Sequence, residues 1–414
     1  MSILRRVRGT FERLVARLNR LPVRRRQPAL VRVPRSGKAL LLALMIAPAA
    51  WANSGAELIT YPSGDGETVF ALSITPPADE STGPCDVVVL FDTSASQVGV
   101  YRDTALAALE SCIAKLRPED RVQILAADLE ARPLTEKFLA VGSPELKAAI
   151  AAIRQQIPLG STDMDAALRT AAGRFEKNSP ANRAVLYLGD GMSTANFLGT
   201  ESFRGLIDEL RTARIPVSSY AIGPRRDGVL LAALANQTGG NLYVDESMVV
   251  ADDSQGVTTA RANQENLRRG GTVGESLADW TRARVLWPQS VTMPEQLGQV
   301  FPRQLPPLRS DRETIVVGST HDKLDAPVAI RIQAASGDET VNFVWTAAPI
   351  HDDENYAYLT QVIEAARADD GLTLPTVGLA GLAETGRMLD ASLEGMTELA
   401  QRAVATGDLA AADQ

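Results

Sequence analysis

The sequence predicts an α/β fold, doubly wound around a mostly parallel six-stranded sheet, with a small β-rich domain and a C-terminal helical segment beside it. Three observations carry this reading. Between residues 86 and 245, apolar β-type runs alternate with amphipathic helical stretches, the pattern of βαβ units. Over residues 284–348 the texture becomes proline-punctuated and alternating, as in half-buried antiparallel strands. After His351 it turns alanine-rich and helical.

The 414 residues exceed one usual domain, so several units are expected. Residues 1–52 form the first. Residues 1–38 carry twelve Arg or Lys and one acidic residue, +11, which against a total of −8 leaves −19 on residues 39–414. A short apolar run follows at 39–49, then Ala50-Trp51-Ala52, an A-x-A cleavage pattern. That order reads as a secretory signal peptide, with cleavage expected before Asn53. Arg24-Arg25-Arg26 lacks the apolar pair of a twin-arginine signal, because Gln27-Pro28 follows. A second reading keeps the segment uncleaved as a membrane anchor with its arginines in the cytoplasm. The protein is thus expected outside the cytoplasm, in the periplasm or cell envelope or secreted, or else anchored at the membrane. The acidic remainder argues against nucleic-acid binding.

Residues 53–82 read as a β-type flanking segment and 83–283 as the main α/β domain. Parallel strands are expected at 87–91, 122–126, 184–188, 217–222 and 241–244, with an antiparallel edge strand over 133–138. Leu106, Leu109, Ile113 and Leu116 share one helical face; Phe203, Leu206, Ile207 and Leu210 share another, and Leu168, Ala171, Ala172 and Phe175 a third. Ser143-Pro144-Glu145 opens a further helix, and Leu277 and Trp280 mark the inward face of the last. Residues 284–350 form the β-rich, sandwich-like domain, which the stretch 57–75 is expected to join. Residues 351–414 read as an α-helical tail resembling the start of a tetratricopeptide-like array, although one partial unit is not a repeat.

The chemistry concentrates where strands end. Asp92-Thr93-Ser94-Ala95-Ser96 follows the apolar run 87–91 directly and offers one carboxylate and two hydroxyls. Gly160-Ser161-Thr162-Asp163 precedes a helix, and Asp190-Gly191 ends another β-run. Hard cations such as Mg2+ take oxygen ligands and keep several waters, so a few well-placed oxygens suit them. Taken singly, such residues also cap helices or sit in Asp-Gly turns. All three occur in order at strand ends, where open α/β sheets place their ligand crevice.

These residues resemble the metal-ion-dependent adhesion site of the von Willebrand factor type A family, whose D-x-S-x-S, later Thr and later D-G all appear, over roughly residues 83–250. The resemblance implies a Rossmann-like fold and a metal, Mg2+ or else Mn2+ or Ca2+, held by Asp92, Ser94, Ser96, Thr162 and Asp190. It further implies adhesion to a protein partner that presents an Asp or Glu carboxylate to the metal, with Gln97, Ser161, Met192 and Ser193 shaping specificity. The β-rich segments loosely resemble the strands that flank such domains in inter-alpha-trypsin-inhibitor heavy-chain-like proteins. Two other readings remain: a structural cell-envelope scaffold, and a non-catalytic subunit of a chelatase- or ATPase-type assembly.

No enzyme is expected. The only histidines, His321 and His351, lie outside the α/β region and are read as surface residues, which leaves no Ser-His-Asp or Cys-His arrangement. Phosphotransfer of the haloacid-dehalogenase type needs a second carboxylate two positions after the first, where Ser94 stands. Arg225-Arg226-Asp227 is read as a phosphate or partner contact or as solvated surface. Cys85 and Cys112, the only cysteines, are read as one disulfide or two buried thiols.

Overall fold

The computed structural model describes residues 55–385, apart from 65, 246–247, 250, 252–256, 352–355, 379–380 and 383–384. The expected signal peptide or anchor at 1–52 and most of the expected tetratricopeptide-like segment lie outside the described residues. No described helix is long and apolar enough to cross a membrane.

The chain opens with a hairpin, β1 (Ala56–Pro62) and β2 (Thr68–Ile74). The α/β domain follows as β3 (Cys85–Asp92), α1 (Val100–Lys115), β4 (Arg121–Ala127), β5 (Ala131–Pro133), β6 (Leu139–Ala140), α2 (Pro144–Gln155), α3 (Met164–Ala172), β7 (Asn182–Gly189), α4 (Thr200–Thr212), β8 (Val217–Ala221), α5 (Gly228–Thr238), β9 (Leu242–Val244) and α6 (Thr259–Arg282). Then come β10 (Val285–Thr292), β11 (Gln299–Phe301), β12 (Leu308–Arg309), β13 (Thr314–Thr320), β14 (Val328–Ser336), β15 (Glu339–Ala347), β16 (Pro349–Ile350) and α7 (Leu359–Asp369).

The main sheet runs in the order β5-β4-β3-β7-β8-β9 and is parallel from β4 to β9. Every residue of β3 is buried, which is why a near-continuous apolar run sits at the centre of a sheet covered on both faces. One face packs α1, α2 and α6 through Leu109, Ile153 and Leu277; the other packs α3, α4 and α5 through Leu168, Leu206 and Leu231. The chain moves outward from β3 to β4 and then returns to the opposite side with β7, so strand order reverses at β3. The carboxyl end of β3 is therefore the crevice of the sheet.

One expectation needs correction. The single edge strand over 133–138 is two short strands, β5 and β6, both antiparallel to β4, so the sheet has seven strands rather than six. Between them the Thr135 hydroxyl accepts the Ile124 N–H at 3.1 Å and its carbonyl accepts the Gln123 amide at 2.7 Å. Side-chain bonds replace the ladder there, and Pro133 has no N–H to extend it.

β1 and β2 join β11, β13 and β16 in a five-stranded sheet, faced by a four-stranded sheet of order β12-β10-β14-β15. Leu58, Phe70, Leu72, Leu286, Ile330 and Trp345 fill the space between. The outer face of the five-stranded sheet is covered by α7, whose Leu359, Val362, Ile363 and Ala366 pack on Ile59, Val69, Ile315 and Val317. The described part of the helical tail is therefore a lid on the sandwich. Arg309, 1% exposed, clamps the sandwich to the α/β domain: its guanidinium bonds both oxygens of Asp311 at 2.6 and 2.7 Å, the Gly239 carbonyl at 2.9 Å and the Trp280 carbonyl at 3.1 Å. This clamp grips the carboxyl end of α5, whereas the amino end of α5 lies beside Asp190, with Asp227 N–H bonded to the Asp190 carbonyl at 2.7 Å. The sandwich thus meets α5 at the end remote from the crevice.

Candidate metal centre

The crevice gathers all five residues that the sequence singled out. Asp92 closes β3, Ser94 and Ser96 sit on the loop after it, Thr162 precedes α3, and Asp190 follows β7. Their oxygens form one connected network. Asp92 Oδ1 accepts the Ser94 N–H at 2.9 Å and the Thr162 hydroxyl at 3.3 Å. The Ser94 and Ser96 hydroxyls are 3.0 Å apart, and Ser96 donates to Asp190 Oδ2 at 2.6 Å. The Met192 N–H donates to Asp190 Oδ1 at 2.9 Å.

The two carboxylates are 1% and 2% exposed, and burial is the chief cause that pushes both pKa values up. Asp190 rises from 3.8 to about 6, with the Asp92 charge adding to burial. No Lys or Arg among the described residues forms an ion pair with either carboxylate or offsets these rises. Two buried acids without a cationic partner are costly unless a cation is supplied from outside. Among the described residues no three His, Cys, Asp or Glu side chains converge on one point, so the donor set here is two carboxylates and three hydroxyls. Such an all-oxygen set fits a hard divalent cation and does not fit zinc or copper.

Sequence reading missed Tyr187. Its buried hydroxyl donates to Asp92 Oδ2 at 2.7 Å and accepts the Gly191 N–H at 3.0 Å, so it holds the first carboxylate and the turn after the second strand together. The signal was present: a tyrosine inside the apolar run 184–188 must find a hydrogen-bond partner when buried. Gly189 permits this closeness, since a Cβ there would lie 2.4 Å from Asp92 Cβ and 2.5 Å from the Tyr187 hydroxyl.

Gln97 also belongs to the site, with its amide donating to the Ile222 carbonyl at 3.0 Å and its side chain bonding Asp190. Ser193 pairs with Thr162 across an isolated bridge and its hydroxyl accepts the Met164 N–H at 3.1 Å. Asp227 caps α5, its side chain accepting the Leu230 N–H at 3.0 Å, and Arg225 is exposed. His321 and His351 are exposed and remote, the latter 2.8 Å from the Thr60 hydroxyl. Cys85 and Cys112 are free, buried thiols.

Residues 85–244 match the family model described as the von Willebrand factor type A domain. Among solved structures the chain is similar to a von Willebrand factor type A protein from Catenulispora acidiphila, at 14% identity over 84% of this chain and 90% of that one, with a TM-score of 0.47. It is also similar to an ArnB paralog from Sulfolobus acidocaldarius, at 13% identity over 79% and 94% of the two chains and a TM-score of 0.43. For the pilus adhesin SpaC of Lactobacillus rhamnosus GG the identity is 11%, over 70% of this chain and 47% of that one, with a TM-score of 0.31. The seven-stranded sheet wound by helices on both faces agrees with the match over residues 85–244, which gives this part of the chain the fold of a von Willebrand factor type A domain.

Proposed function

We propose that this chain is an exported, non-catalytic binding module that holds a divalent cation on Asp92, Ser94, Ser96, Thr162 and Asp190 and takes a carboxylate of a partner protein onto it. The observation that carries the reading is the pair of buried carboxylates, without a Lys or Arg partner among the described residues, joined through three hydroxyls at the crevice of the sheet. These residues would hold magnesium, or manganese or calcium in its place, which would supply a Lewis-acidic centre for the partner's carboxylate. The protein supplies the positioning. Tyr187 and the Ser94 N–H orient Asp92, while Gln97 and the Met192 N–H orient Asp190. Buried surroundings strengthen a cation–carboxylate contact relative to water. The basic, apolar, A-x-A order of residues 1–52 supports export.

Calorimetry of Mg2+ and Mn2+ against the metal-stripped chain tests the reading, beside an Asp92→Ala, Ser94→Ala variant. Saturable binding at millimolar metal or below, lost in the variant, is expected; a wild type that binds neither ion removes the reading. Amino-terminal sequencing of the mature protein should start at Asn53, and a chain that still carries residues 1–52 is the anchored form.

A further inference from the structure

The loops that carry the candidate site also carry a collar of bare apolar side chains. Nine large apolar residues are exposed among the described residues, and five stand on loops at the carboxyl ends of the strands: Val98, Leu129, Ile157, Leu159 and Phe197, at 51%, 58%, 81%, 74% and 88% exposure. Scattered single apolar residues are ordinary, whereas clustering at one end of a fold marks an interaction surface. The other four lie on α6 and on or beside the sandwich strands.

Leu159 is tied to the cradle through its own backbone, and the loops carrying the other four are tied to it through bonds of neighbouring residues. The Leu159 N–H donates to the Thr93 carbonyl at 2.9 Å, and the Ala95 N–H to the Gly160 carbonyl at 3.1 Å, which fixes the α2–α3 loop carrying Ile157. Leu129 follows Asp128, whose carbonyl accepts the Asp163 N–H at 3.0 Å and whose Oδ2 accepts the Thr93 hydroxyl at 3.4 Å. Val98 follows Gln97, itself bonded to the Ile222 carbonyl. Phe197 follows Asn196, whose carbonyl accepts the Ser193 hydroxyl at 2.6 Å, and Ser193 is bridged to Thr162. The loops are thus held in place beside the five oxygens while their side chains face solvent.

We propose that this collar receives the residues on either side of the incoming carboxylate, so that the partner segment is a single Asp or Glu set between bulky aliphatic or aromatic side chains. The inference rests on the metal-dependent reading above and adds the sequence chemistry of the partner. A lone carboxylate cannot distinguish one acidic protein from another, whereas apolar neighbours that fit the collar do, and they exclude water around the charged contact. The −19 charge of residues 39–414 disfavours a segment with several acids and leaves one acid in apolar company as the complementary ligand.

The test pans a displayed library of random peptides on the full chain in Mg2+, eluting with EDTA, then measures the consensus peptide on the wild type and on a Phe197→Ser, Leu159→Ser variant. The expected result is an Asp or Glu flanked by Phe, Trp, Leu, Ile or Val, with about tenfold or greater loss of affinity in the variant. Both replaced side chains are exposed, so melting temperature and Mn2+ affinity should match the wild type. An acidic consensus without apolar neighbours, or equal affinity in the variant, overturns the collar and leaves the metal reading standing. Apolar peptides without an acid, retained through EDTA, overturn the proposed partner, while Mn2+ affinity measured on the same chain decides the metal reading by itself. Failure to enrich any peptide, or collar-dependent binding to phosphatidylcholine vesicles in place of peptides, overturns the proposed partner.

Discussion

Replacing Tyr187 by Phe deletes one oxygen at the centre of the site and strands two groups. The tyrosine is 0% exposed and Asp92 is 1% exposed, so bulk water does not substitute for the hydroxyl. One lost bond runs to a buried carboxylate at 2.7 Å, the other from the Gly191 N–H at 3.0 Å. A buried group left without its partner costs about 1–3 kcal/mol, and a bond to a charged group is worth about 1.5–3. Together they put the loss at about 2.5–6 kcal/mol, or about 5–24 °C in the Tm of a domain of this size. Because Asp92 also loses its orienting partner, Mn2+ affinity should fall by about tenfold to a hundredfold. Calorimetric melting of the metal-free chain and Mn2+ titration read the two effects separately. A Tm within about 2 °C of wild type, with Mn2+ affinity unchanged, would refute the positioning role of Tyr187.

Further expectations follow from the same geometry. Gly274→Val should lower Tm sharply, because a Cβ there lies 2.1 Å from the Ala108 carbonyl and forces α6 off α1, whereas Gly271→Ala, with open space around it, should be neutral or stabilising. Leu109→Ala should cost about 2–5 kcal/mol in a urea titration, since the side chain is buried between α1 and the sheet. In the metal-free chain the raised pKa of Asp190 makes its folded form favour the proton, so its own contribution to stability is fully present below the ordinary 3.8 and is lost as pH climbs through about 6; melting curves of the wild type and Asp190→Asn across that window, with and without Mg2+, isolate that contribution. Burial pushes the Cys112 thiol up to about 12, and Cys85 higher still, so a thiol reagent at neutral pH should titrate neither in the native chain and both in denaturant; two unreactive cysteines in denaturant would instead reveal a disulfide.

The main domain was legible because its signals are local. The all-buried β3 announces itself as an unbroken apolar run, and Leu106, Leu109 and Ile113 fall on one face at helical spacing, as the structure has them. Asp92, Ser94 and Ser96 were legible because they alternate within five residues where β3 ends; Thr162 and Asp190 followed once strand ends were placed. Tyr187 was not, since its role depends on Asp92, 95 residues earlier, lying within hydrogen-bond reach across the sheet. The split of the edge into β5 and β6 depends on Thr135 bonding β4, which no periodicity encodes. Arg309 reads as one more charged surface residue in the sequence, and only its fit among Asp311, Gly239 and Trp280 makes it a buried clamp. Likewise α7 shows an ordinary amphipathic face, and the sheet it covers is assembled from strands hundreds of residues apart.

Anomalous diffraction from a crystal of the chain soaked in Mn2+ reads out the proposed divalent cation at the end of β3. One strong manganese peak is expected among Asp92, Ser94, Ser96, Thr162 and Asp190, absent from an Asp92→Ala crystal treated alike. An empty cradle at saturating Mn2+, or a peak elsewhere alone, would contradict the metal reading.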